Sequence, residues 1–93
     1  MPVQVHVTSV IQKVVDGQKA FSAEGETIAD LIADIEQRYP GFRRQIADES
    51  GALHRFVNIY LNDEDIRYLK GIDTRLQDGD AVSILPALAG GAR

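Results

Sequence analysis

The residues best placed to do chemistry stand at the end of the chain. The run Leu85-Pro86-Ala87-Leu88-Ala89-Gly90-Gly91 closes in paired glycines, with Ala92 and Arg93 beyond them. Glycine has no Cβ and adopts dihedrals that other residues avoid. A paired-glycine ending therefore suits a tail that threads a narrow channel in another protein and presents a carboxylate there. On this reading Gly91 carries the reacting carboxyl group, and Leu88, Ala89 and Gly90 lie along the partner's channel. The chain contains no cysteine. Thiol nucleophiles, disulfides and thiolate metal sites are excluded, so any sulfur chemistry must use sulfur that no side chain supplies.

A second feature is a pair of aromatic residues. Phe56 and Tyr60 share the non-core face of a strand read over 55–61, and Leu85 emerges on that face at the root of the tail. A sheet covered by a helix on one side exposes its other side, and aromatic residues there serve as interface anchors. Phe56, Tyr60 and Leu85 are therefore the expected partner-binding patch. Other polar residues offer less. His6 and His54 stand in no metal-ligand spacing. Asp63, Glu64 and Asp65 are consecutive on a turn and lack the spacing and glycine of a calcium loop. Ser9, Ser22, Ser50 and Ser83 form no triad pattern with a histidine and an acid. The glycines at 25, 41, 51, 71 and 79 are scattered singly and make no phosphate loop.

The 93 residues allow one domain with no deep cleft. The net charge is -4, which argues against non-specific nucleic-acid binding. An acidic carrier is expected to dock on a basic partner surface. No segment has the apolar length of a membrane span, and the N-terminus has neither the basic start nor the apolar core of a signal peptide. The expected location is the cytoplasm.

These groups need a scaffold, and the patterning describes one. Val3, Val5 and Val7 alternate with Gln4, His6 and Thr8, the period of a strand with one buried face. Asp16-Gly17 signals a hairpin turn into a second strand, about Gln18 to Ala23, with Phe21 inward. Thr27 is an N-cap for a helix to Tyr39, with Ile28, Leu31, Ile32 and Ile35 on one stripe; Pro40-Gly41 stops it. Phe42 to Ala47 reads as a short helical turn. In the strand over 55–61, Val57, Ile59 and Leu61 face the core. Asn62 to Asp65 reads as a polar turn and Ile66 to Tyr68 as a short strand. Asp78-Gly79-Asp80 turns the chain into a last strand, Ala81 to Leu85, with Val82 and Ile84 inward. The order is that of an α+β β-grasp (ubiquitin-like) domain over residues 1–86, a mixed sheet with one main helix on one face. The first and last strands lie side by side and parallel at its centre. Residues 87–93 are expected to be a flexible tail.

Three stretches carry a family resemblance: Gly25 to Leu31, Val57 to Arg67, and Leu76-Gln77-Asp78-Gly79-Asp80-Ala81-Val82 followed by Leu85 to Gly91. In order and spacing they resemble the ubiquitin-like sulfur-carrier family. Its members include the small subunit of molybdopterin synthase and the sulfur carrier of thiamine synthesis. The run from Leu53 to Asp65 is most similar to the carriers of a cysteine-forming pathway; the shorter thiamine carriers lack it. The resemblance implies that an ATP-using enzyme, an adenylyltransferase and sulfurtransferase of the ubiquitin-activating type, adenylates Gly91. A sulfide equivalent then replaces AMP and leaves a C-terminal thiocarboxylate. The carrier itself holds no cofactor and no catalytic side chain. The implied acceptor is a pyridoxal-phosphate-dependent cysteine synthase or another sulfur acceptor, with a zinc-dependent peptidase releasing cysteine. Family members usually end at the second glycine. Ala92 and Arg93 depart from that pattern, either as a native extension that a peptidase removes or as a remnant foreign to the protein. Two alternatives stay open: the small subunit of molybdopterin synthase, and a ubiquitin-like protein modifier.

Overall fold

The computed structural model describes residues 2–55 and 57–86. Alternation builds its first strand. β1 spans Pro2–Val7, with Val3, Val5 and Val7 buried and the residues between them exposed. The expected hairpin forms, with β1 and β2 antiparallel, but its connection is longer than the Asp16-Gly17 turn alone. A single helical turn, α1 (Ser9–Gln12), and a 3-10 turn (Lys13–Val15) precede Asp16 and Gly17, both at positive φ. The reason is burial. Ile11 and Val15, one helical turn apart, are 1% and 0% exposed, and a two-residue loop would leave both in water. β2 therefore begins at Ala20, later than the pattern placed it, and runs to Glu24 with Phe21 and Ala23 inward.

The helix forms as its cap predicts. α2 spans Ile28–Arg38, and the Thr27 hydroxyl accepts the Asp30 N–H at 3.2 Å. Ile28, Leu31, Ile32 and Ile35 are its buried stripe. At its end Tyr39 stacks edge-on against Phe21, ring centroids 5.8 Å apart, and the Gln18 side-chain amide donates to the Tyr39 hydroxyl at 2.8 Å. A second short helix, α3 (Phe42–Ile46), buries Phe42 and Ile46 completely.

β3 (Val57–Leu61) turns at Asn62 and Asp63, φ 51° and 73°, into a two-residue strand, β4 (Glu64–Asp65). The polar residues Glu64 and Asp65, expected in the turn, are thus strand. Ile66–Tyr68, expected as strand, is a 3-10 turn. Burying Ile66 bends the chain there, and the Asp65 carboxylate holds the bend by accepting the Arg67 N–H at 2.9 Å. Leu61 is half-buried at the sheet's end and packs against the core without lying fully inside it. β5 (Ala81–Pro86) closes the sheet in the order β2-β1-β5-β3-β4. β1 and β5 are parallel and every other neighbouring pair is antiparallel. The α+β β-grasp arrangement is therefore present as expected, with α2 on one face of the mixed sheet. Phe56 and the tail expected over 87–93 lie outside the described residues.

Candidate functional site at the base of the tail

The last described residues lie in the middle of the sheet. Val82 and Ile84 of β5 are buried under α2, and β1 pairs alongside from Gln4↔Ala81 to Val7↔Ile84. On the other flank β3 continues the pairing to Asn58↔Leu85 and Val57↔Pro86. Pro86 has no N–H for a further ladder bond, so it fits the last position of a strand. β1 thus holds the strand as far as Ile84, and β3 alone pairs with Leu85 and Pro86.

Above this strand end is the open face of the sheet. Tyr60 and Leu85 both lie on it, half-buried, and with Ser83 and Asp63 they line one shallow hollow. Tyr60 stands opposite Ser83, one pleat away from the Asn58–Leu85 pair. Of the expected patch residues, the fold brings Tyr60 and Leu85 together. Phe56, Leu88, Ala89, Gly90 and Gly91 lie outside the described residues.

The sequence reading missed two members of this face. The Arg67 guanidinium donates to the Asn58 carboxamide oxygen and lies 3.4 Å from the Asp65 carboxylate. Asn58 alternates with Tyr60 and was legible as a face-mate, although only its aromatic neighbours were singled out. Arg67 was not legible, because the 3-10 turn that carries it over the face was read as strand. His6 is exposed on the same face, in register with Ser83.

Three other titratable groups, Glu36, Asp48 and His54, bond to backbone at turns and loops. Glu36 accepts the N–H groups of Arg43 and Gly41 at 2.8 and 3.2 Å, and those bonds, more than the nearby arginine charges, hold its carboxyl below its ordinary value. Asp48 accepts from the Ser50 hydroxyl and from the N–H groups of Ser50 and Ala52, with the hydroxyl the leading cause of its lowered pKa. The His54 ring meets the Arg44 carbonyl at 3.2 Å. Among the described residues no three His, Asp or Glu side chains gather as a metal site. No helix among them is long and apolar enough to cross a membrane.

A β-grasp scaffold whose central strand is followed in sequence by paired glycines has relatives. The ThiS family model matches residues 5–91, and the chain belongs to that family of ubiquitin-like sulfur carriers. It is 47% identical over 93 residues to the sulfur carrier protein CysO of Mycobacterium tuberculosis, an alignment covering 98% of this chain and 100% of that protein. A crystal structure of the Amycolatopsis orientalis BexX/CysO complex contains a chain that matches at a TM-score of 0.89 and 39% identity, covering 96% of this chain and 99% of that one. Small archaeal modifier protein 3 of Haloferax volcanii is 32% identical over 94 residues, covering 98% and 100%.

Proposed function

We propose that this protein is a sulfur carrier that works from a C-terminal thiocarboxylate on Gly91. The observation that carries the reading is the position of β5. It is the central strand, paired on both sides, and Gly91, the second glycine of the pair, is the fifth residue beyond its last residue, Pro86. Five extended residues reach at most about 17 Å, enough for Gly91 to enter a partner's active site while the domain stays outside. Adenylation by ATP forms an acyl adenylate and releases pyrophosphate. A sulfide equivalent then attacks the acyl carbon and AMP leaves, which places sulfur on the carrier without any cysteine.

The carrier contributes delivery and no catalysis. Its partners are an adenylyltransferase and sulfurtransferase of the ubiquitin-activating type, which uses the ATP, and a sulfur acceptor such as a pyridoxal-phosphate-dependent cysteine synthase. A zinc-dependent peptidase completes the set, and the setting is the cytoplasm. The likeness to CysO supports the cysteine-pathway reading over the small subunit of molybdopterin synthase. Where Ala92 and Arg93 follow Gly91, its carboxyl is an amide and cannot be adenylated, so their removal precedes the first step. One further reading, a protein modifier joined to lysines, is favoured by the likeness to a protein named as a modifier.

Intact mass after incubation with the activating enzyme, ATP and a sulfur donor tests the proposal. The chain ending at Gly91 is expected to gain about 16 Da, one sulfur in place of one oxygen, while the chain ending at Arg93 stays unchanged. Thiolation of the chain with Ala92 and Arg93 attached would defeat the mechanism. Conjugates on lysines with no thiocarboxylate would favour the modifier reading.

A further inference from the structure

The net charge of -4 conceals two ends of opposite character. Because β1 and β5 are parallel, Val7 and Pro86 lie at one end of the sheet, the tail end, and Pro2 and Ala81 at the other. The far end gathers acids from three separate loops. Glu24, Glu26 and Asp30 surround the β2–α2 corner. Asp63 and Glu64 make the β3–β4 turn, and Asp78 and Asp80 the turn into β5, where Asp80 also accepts from the Asn62 side chain. That is half of the chain's 14 acidic residues. Among the described residues the cations near them are Arg75, bridged to Thr27, and Arg38, which lines a hollow with Glu24 and is paired with Asp34.

The tail end is the reverse. Lys13 in the α1–β2 connection, Lys19 at the start of β2, and Arg55 just before β3 are all exposed there. Lys19 is fixed at that end by its carbonyl, which accepts the Val7 N–H at 3.0 Å. Asp16 follows Lys13 in the same connection, and Asp48 stands close enough to His54, the residue before Arg55, to feel its charge. On the flank, Arg43 and Arg44 stand near Glu36, Asp48 and Glu49 around one hollow and come close to balance.

Separation decides which charge a partner feels. The six residues of β1 span about 20 Å at strand rise. The Debye length at physiological ionic strength is about 8 Å. A surface approaching the tail end is therefore screened from the acidic end and meets a locally positive one. We propose that the tail end docks against an acidic rim around the partner's tail-accepting channel, with the acidic end turned away. Net charge alone points to the opposite, a basic docking surface. The polarity also orients the encounter, because the wrong end of this domain is repelled by the same rim. The inference rests on the carrier reading above and adds the chemistry of the partner's surface.

The test uses the chain ending at Gly91 and the activating enzyme purified from the organism's own extract by its ATP–pyrophosphate exchange on that chain. Three proteins are compared at about 20 mM and about 500 mM salt: wild type, K13E/K19E/R55E, and E26K/E64K/D78K. All six changed side chains are exposed, so each variant is expected to melt with the wild type. At low salt K13E/K19E/R55E should lose about tenfold or more in kcat/KM with kcat unchanged, and the loss should shrink at high salt. E26K/E64K/D78K should stay within about twofold. Equal rates for the two variants, or slowing confined to E26K/E64K/D78K, overturn this inference alone. No exchange with the wild-type chain overturns the carrier reading and this inference with it.

Discussion

Gly25 shows how one missing atom shapes the domain. A Cβ built on it would lie 2.5 Å from the Leu31 backbone nitrogen and 2.9 Å from the Asp30 carbonyl carbon and the Leu31 Cα. The chain leaving β2 passes directly against the first turn of α2, and no side chain fits between. Backbone cannot swing aside as a flexible side chain can, so Gly25→Ala must displace the helix or the strand end. The expected cost is about 1–3 kcal/mol, as for overpacking elsewhere in protein cores. Urea denaturation measures it; a midpoint equal to wild type would show that the corner yields freely. In the sequence Gly25 is one of several singly scattered glycines, and its packing role appears only when the helix is laid against it.

At the scale of elements, the junction between α2 and α3 depends on a carboxylate. Glu36, on α2, satisfies two N–H groups at the start of α3, where Gly41 sits at φ 103°. Since those bonds lower its pKa in the folded protein, the stabilisation is fully present above its ordinary value of 4.5 and is lost as pH falls through the folded value. The wild-type melting temperature should therefore drop as pH is lowered from about 6 to about 3, and Glu36→Gln should drop less steeply. Asp48 adds a loss of the same sign, because its pKa is also lowered. Parallel melting curves for wild type and Glu36→Gln would remove Glu36 from the account. The pairing of Glu36 with the α3 backbone was not legible in the sequence. Nothing local marks a carboxylate whose partners lie five and seven residues on, past a proline and a glycine.

For the molecule as a whole, the sheet separates a core face from an open one. One face of β3 carries Val57 and Ile59, 3% and 1% exposed, into the core; the other carries Asn58 and Tyr60 to the open face. Ile59→Ala should cost about 2–5 kcal/mol of stability as a core truncation. Tyr60→Ala should leave the melting temperature nearly unchanged and weaken partner binding by about 1–2 kcal/mol if it anchors the interface. Calorimetric melting and binding titration on both variants give the comparison. A Tyr60→Ala protein that binds at full affinity would make the patch ordinary surface.

The sequence alone determined which faces are buried, where the main helix begins and ends, and the parallel centre of the sheet. Those features follow from local causes: the period-two valines, the Thr27 cap, the Pro40-Gly41 stop, and an element order that few sheets accommodate. It also carried the family resemblance through the Gly25–Leu31, Val57–Arg67 and Leu76–Gly91 stretches. Tertiary structure alone decided the rest. Asp16-Gly17 turns the chain as signalled, but the helical turns before it, which bury Ile11 and Val15, have no local mark in the sequence. Ile66 bent the chain inward and carried Arg67 onto the open face. Charges scattered along the chain became two ends of opposite sign only once β1 and β5 lay parallel. Composition counts charge without position, whereas the field at a docking surface depends on distance, and distance is set by the fold.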